Sequence, residues 1–161
     1  MTLVLYVGCA LTEAPPEFRA EVAKLKEHLK TLKHPSGEPQ FKVLEFLGLT
    51  AGNADDVYRI DIIENVGTCE IMLAICDYPS TGLGYELAVA AKERGVAVLG
   101  IAHADKRVTR LVLGIHSRHP HFTFERYNNL LEDVPRLLRE KIEAEKRLIL
   151  AEQPDNYPGS G

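Results

Sequence analysis

The apolar positions of this chain change their spacing several times, and each change marks an element. Residues 3–8 (LVLYVG) form a continuous apolar run, as expected of a strand buried on both faces. Phe18, Val22, Leu25, Leu29 and Leu32 then recur at helical spacing, with Lys and Glu between them. That pattern predicts a helix to about Lys33, capped by Thr12 or Glu13 and with prolines in its first turn. Residues 34–39 (HPSGEP) read as a loop. Phe41, Val43 and Leu47 alternate with other residues and predict a second strand over residues 41–47. Residues 49–55 form a polar loop. Asp55 or Asp56 then caps a helix over residues 57–67, which an α-helical winding would bury along Val57, Ile60 and Ile63, with Ile62 a further candidate.

The second half repeats the alternation. Residues 71–76 are a buried strand, 84–94 a helix and 96–102 a fully apolar strand. A short helical piece over 107–113 and a short strand over 121–124 follow. A long helix over 127–151 comes next, with Pro135 starting or kinking it. Strands alternating with helices predict a flavodoxin-like α/β three-layer sandwich, a five-stranded parallel sheet of order 2-1-3-4-5 with helices on both faces. Residues 1–151 read as a single domain, and residues 152–161, with the sequence QPDNYPGSG after Glu152, as a disordered tail. Ile142, Leu148, Ile149 and Leu150 extend the apolar seam of the last helix further than a small core needs, which suggests a homodimer or higher homo-oligomer.

Composition narrows the partners. The 161 residues are 45% hydrophobic and 26% charged, ordinary for a globular protein. A net charge of −4 gives no general attraction to a nucleic acid polymer, although local donors still allow a small phosphorylated ligand. No apolar run is long enough to span a bilayer, so no membrane partner is expected. Cys9, Cys69 and Cys76 lack zinc-ligand spacing and read as buried reduced thiols, which fits a cytoplasmic setting. His116, His119 and His121 cluster around Arg118 and Pro120 in no recognised ligand pattern, so no metal is expected. GxGxxG, GxSxG and Walker A signatures are missing, and no cofactor is expected.

Chemistry concentrates in residues 75–95 (ICDYPSTGLGYELAVAAKERG), a strand end, a glycine-interrupted turn and a helix. Ligands of open α/β sheets bind outside the carboxyl ends of strands, which is where this turn falls. Glu86 there is either a solvated helix residue or a reactive carboxylate, ionised beside a helix N-terminus and suited to attack an electron-poor carbon such as a sugar's anomeric carbon. Retaining glycosyl transfer needs a second carboxyl group. Asp61 is the leading candidate, with Asp56, Glu64 and Asp77 as rivals. Gly82 and Gly84 either shape the turn or let a ligand approach. Ser80 either binds phosphate or caps the turn. Thr109 and Arg110 either hold a phosphate or begin a solvated helix. Tyr6, at the end of the first strand, either lines a pocket or packs in the core.

PSTGLGYEL, together with YVGCAL near the start, a helical Asp upstream and RVTRLVLG downstream, resembles the nucleoside 2-deoxyribosyltransferase-like superfamily, which includes the 2′-deoxynucleoside 5′-phosphate N-hydrolases. The resemblance covers roughly residues 3–138. It implies cleavage of an N-glycosidic bond in a small-molecule nucleoside or nucleotide, with no cofactor, by a homo-oligomer. It makes Glu86 the nucleophile, places Asp61 at the leaving base and puts Tyr6 at the end of the first strand. It gives Ser80 to the 5′-phosphate and Thr109 to a neighbouring subunit's phosphate site. Gly8, Gly82, Gly84 and Arg110 join these as candidate substrate-binding positions. Hydrolysis of a nucleoside 5′-monophosphate leads the alternatives, which are transfer of deoxyribose between bases, a non-catalytic nucleotide-binding or sensing module, and a structural domain acting through its last helix.

Overall fold

A computed structural model describes residues 1–45 and 52–152. Five parallel strands form one sheet in the order β2-β1-β3-β4-β5. They are β1 (Leu3–Cys9), β2 (Phe41–Val43), β3 (Ile71–Ile75), β4 (Ala97–His103) and β5 (Phe122–Tyr127). The helices are α1 (Pro16–Thr31), α2 (Ala54–Tyr58), α3 (Thr81–Ala88), α4 (Arg110–Leu113) and α5 (Leu130–Glu152). α2 runs on into π-helical turns over Arg59–Val66, and α3 does the same over Val89–Arg94. This is the flavodoxin-like sandwich, in the strand order that the βαβ alternation predicts.

Side chains alternate across each strand and build two cores. Leu5 and Val7 of β1, Leu73 of β3 and Leu99 of β4 pack beneath α1 and α5. Tyr6, Met72, Ala74 and Val98 face the other way, beneath the π-helical turns after α2, beneath α3 and beneath α4. The register sets Tyr6 beside Met72 and Gly8 beside Ala74. Tyr6 and Gly8 therefore point to the side that carries α2 and α3, one pleat apart. Leu5, Leu73 and Leu99 are at most 1% exposed, so truncating one to Ala costs about 2–5 kcal/mol.

Several boundaries differ from the pattern-based expectation. Pro15 is the cap residue of α1 with Pro16 next to it, and neither Thr12 nor Glu13 supplies a side-chain cap. Asn53 caps α2 through a reciprocal box with Asp56, in place of Asp55 or Asp56 alone. α3 starts at Thr81, so Gly82 and Gly84 lie inside its first turn, and neither has positive φ. β5 continues to Tyr127 through exposed Glu125 and Arg126, which an edge strand tolerates. Pro135 lies inside α5. The predicted end of the second strand at residues 46–47, most of the polar loop before α2, and the tail from residue 153 lie outside the described residues.

The segment after α2 departs furthest. Val57 and Ile63 are 39% and 58% exposed, while Asn65 and Val66 are buried and Asp61 and Ile62 half-buried. π-Helical turns bond i to i+5, so each residue rotates the chain by less than the α-helical value of about 100°. The inward line consequently runs through Ile60, Asp61 and Ile62 to Asn65 and Val66, and Val57 and Ile63 fall outside it. No helix among the described residues is long and apolar enough to cross a membrane.

Candidate active site

Three elements converge at the carboxyl ends of β1 and β3. β1 contributes Gly8 near its end and Tyr6, which stands mid-strand and not at the strand end expected of it; the π-helical turns after α2 contribute Asp61, and α3 contributes Glu86. Ser80 caps α3 by accepting the Leu83 N–H at 3.1 Å, and this fixes where the helix begins. Glu86 then stands in the second turn with its side chain against β1. A Cβ on Gly8 would lie 2.7 Å from Glu86 Oε2, 3.0 Å from Leu83 Cδ1 and 3.1 Å from Met72 Cε. Glycine is what allows the carboxyl group to rest on the strand backbone.

Burial and then the charge of Asp61 raise the Glu86 carboxyl, against a hydrogen bond from Tyr6 and the charge of Lys26, to a pKa of about 8. This corrects the expectation of an ionised group beside a helix dipole. The dipole's influence falls off within the first turn, and desolvation dominates beyond it. The same burial, with Glu86 and Asp61 nearby, pushes the Tyr6 phenol far up, so it stays a donor. Asp61 is also raised by burial, and Lys26 opposes that shift. Asp61 Oδ1 and Glu86 Oε2 are buried without a hydrogen-bond partner among the described residues. With Asp61 ionised, Glu86 keeps its proton to higher pH, so the two carboxyl groups titrate apart.

The rival carboxylates are engaged elsewhere. Asp56 closes the α2 cap, and Glu64 pairs with Arg59 on the surface. Asp77 turns to the opposite side of the sheet, where it accepts the Tyr127 hydroxyl at 2.8 Å and the His103 N–H at 3.3 Å. Thr109 caps α4, Arg110 begins it, and both are exposed. Ser80 and Gly82 line a cleft of about 360 Å³ with Ala10, Thr12, Pro79 and Thr81, at the N-terminus of α3. A Cβ on Gly84 would meet nothing within 4 Å, so the backbone there is open to an approaching molecule.

Lys26 is the site residue that the apolar pattern hides. It is 5% exposed on α1, burial lowers its amine to about 8, and its field reaches Cys9, Glu45 and Glu86. The available signal is its position, four residues after Val22 and three before Leu29, on the inward line of α1. The three thiols are free and protonated, with burial raising Cys9 and Cys69 to about 11 and Cys76 to about 12. Among the described residues, no group of three His, Cys, Asp or Glu side chains could hold a metal ion.

No family model matches the sequence, and no curated protein matches it. Solved structures do. A Clostridium botulinum CMP N-glycosidase, BcmB, matches with a TM-score of 0.59 at 16% identity, over 83% of this chain and 97% of its own. A conserved protein from Enterococcus faecalis matches at 0.47 and 16% identity, over 90% of this chain and 99% of its own. The Francisella novicida lysine decarboxylase LdcF matches at 0.47 and 12% identity, over 88% of this chain and 17% of its own. At such identities the likeness concerns the fold.

Proposed function

We propose that this protein cleaves the N-glycosidic bond of (2′-deoxy)nucleoside 5′-monophosphates by a retaining mechanism. The observation that carries the reading is the pair of buried carboxyl groups, Glu86 and Asp61, each with an oxygen that has no hydrogen-bond partner among the described residues, on a site whose helix α3 opens at a cleft of about 360 Å³ that Ser80, Thr81 and Gly82 line with Glu13. The sequence resemblance adds the reaction class. The fold shared with a CMP N-glycosidase is compatible with that class, although fold alone does not choose a reaction.

In the first step the pair's proton moves from Glu86 to Asp61, and an oxygen of ionised Glu86 then bonds to C1′ as the C1′–N bond breaks. The bonding pair leaves with the base, and Asp61 supplies the proton that the base takes up. In the second step water attacks C1′, the ester C–O bond breaks to regenerate the Glu86 carboxylate, and Asp61 takes the water's proton. Tyr6 donates to the Glu86 carboxylate and holds it in place. Ser80 and the first-turn N–H groups of α3 receive the 5′-phosphate. Thr109 and Arg110 serve a neighbouring copy in a homo-oligomer.

Chromatography of incubations with CMP, dCMP, dGMP and the matching nucleosides, each with and without an acceptor base, tests the reading. Release of free base and sugar phosphate is expected. Asp61→Asn should lower the rate about 10²–10⁴-fold, and Glu86→Gln should abolish it. Base exchange in place of release would make the protein a transferase. Tight nucleotide binding with neither outcome would make it a binding module.

A further inference from the structure

We infer that Gly67 is a positioning residue: it permits the π-helical winding after α2, and that winding turns Asp61 toward Glu86. The geometry lies in one turn. The Gly67 N–H donates to Ile62 O at 2.7 Å, an i to i−5 bond that bypasses Ile63 O. The bypassed carbonyl comes to rest under Gly67, where a Cβ would lie 2.0 Å from Ile63 O and 2.8 Å from Ile63 C. No side chain fits there, because the obstruction is backbone and cannot rotate away. A residue with a Cβ must push Ile63 O back toward the i to i−4 bond, which rewinds the turn as α-helix.

The surrounding contacts hold the wide turn in place. Arg94, the last residue of the π-helical turns after α3, donates to Val66 O at 2.6 Å and Cys69 O at 2.9 Å. Buried Asn65 donates to Glu45 O at 3.0 Å, and its own carbonyl accepts from Cys69 N at 3.0 Å. The hydrophobic pattern pulls the other way. α-Helical winding would carry Val57 and Ile63 inward and rotate Asp61 off the site, yet both apolar residues stand largely exposed. The chain thus leaves apolar surface in water to keep a carboxyl group in the site, a local conflict of the kind expected where function sets the structure.

The groups that face Glu86 are Tyr6 from β1, Lys26 from α1 and Asp61 from the π-helical turns. Of these, Asp61 alone raises the carboxyl's pKa, and Tyr6 and Lys26 lower it. Gly67→Ala should therefore shift the ¹³C NMR titration of the Glu86 carboxyl, assigned with Glu86→Gln, to lower pH than in the wild type. It should also lower kcat for base release to the level of Asp61→Asn, about 10²–10⁴-fold, with KM little changed. The kinetic arm rests on the N-glycosidase reading, whereas the titration arm does not. A wild type without turnover would remove that reading and leave the positioning claim to the titration. An unshifted Glu86 titration in Gly67→Ala would overturn it. Should Gly67→Ala fail to fold, Ile63→Lys decides: an exposed Ile63 predicts a melting temperature within about 2 °C of wild type, and a much larger loss would mean α-helical winding and sink the inference.

Discussion

Glu86 sits in surroundings that withhold its charge, and Tyr6 is one of the groups that return it. Burial and Asp61 favour the protonated form, while the phenol's hydrogen bond and the Lys26 ammonium favour the carboxylate. The reactive form has Glu86 ionised and the pair's one proton on Asp61, so kcat/KM should fall where that proton is lost, near pH 8. In Tyr6→Phe the donor is lost and the carboxylate is less stabilised. The pKa of Glu86 rises, and the falling limb moves to higher pH. A pH–rate profile of the variant checks this, and a limb that stays put or moves to lower pH would mean that Tyr6 does not act on Glu86. Glu86 was legible in the sequence, since a Glu after GLGY stands out by position, whereas Tyr6 was read at a strand end and stands mid-strand in β1. Lys26 was not legible, because one lysine among the many of α1 looks solvated until the helix is docked.

At the scale of elements, the site depends on how closely α3 approaches β1. Gly8 sets that distance, because its missing Cβ makes room for Glu86 Oε2. Gly8→Ala would force the end of a flexible side chain to move and would leave the backbone in place. The expected cost in stability is about 1–3 kcal/mol, with activity falling about 10²-fold because the nucleophile is displaced. Urea denaturation and turnover measured on the same preparation separate the two effects. Full activity in Gly8→Ala would show that Glu86 works from another position. Element identity followed from the apolar pattern: β1, β3 and β4 are continuous apolar runs buried on both faces, and α1 carries apolar residues at helical spacing with Lys26 among them. Periodicity misled where backbone hydrogen bonding overrode side-chain preference. The turns after α2 show this, since Val57 and Ile63 argue for one face and the i to i−5 bonds present another. β5 was read too short because an edge strand does not need apolar residues at Glu125 and Arg126.

At the scale of the whole molecule, the same carboxyl group sets how stability varies with pH. The folded-state pKa of Glu86 is about 8, against an ordinary 4.5. Below pH 4.5 both folded and unfolded chains hold the proton, and the group contributes no difference. Between 4.5 and 8 the unfolded chain ionises while the folded one keeps its proton, so stability falls with rising pH, by at most about 1.4 kcal/mol per unit. Above 8 both forms are ionised and this loss is constant. Lys26 acts in the opposite sense: its folded pKa of about 8 lies below the usual 10.5, so stability is regained between those values. The raised thiols of Cys9, Cys69 and Cys76 oppose that gain above about pH 9. Thermal unfolding across this range should show a decline to about pH 8 followed by a shallower course. Glu86→Gln should remove the decline alone and melt higher than the wild type at pH 8, by about 2–4 °C for each kcal/mol recovered. The variant that loses catalysis would then be the more stable protein, as expected where an active site holds a carboxyl group against its solvation. A Glu86→Gln curve parallel to that of the wild type between pH 5 and about 8 would mean that Glu86 ionises freely in the folded chain, and the division of one proton between Glu86 and Asp61 would go with it.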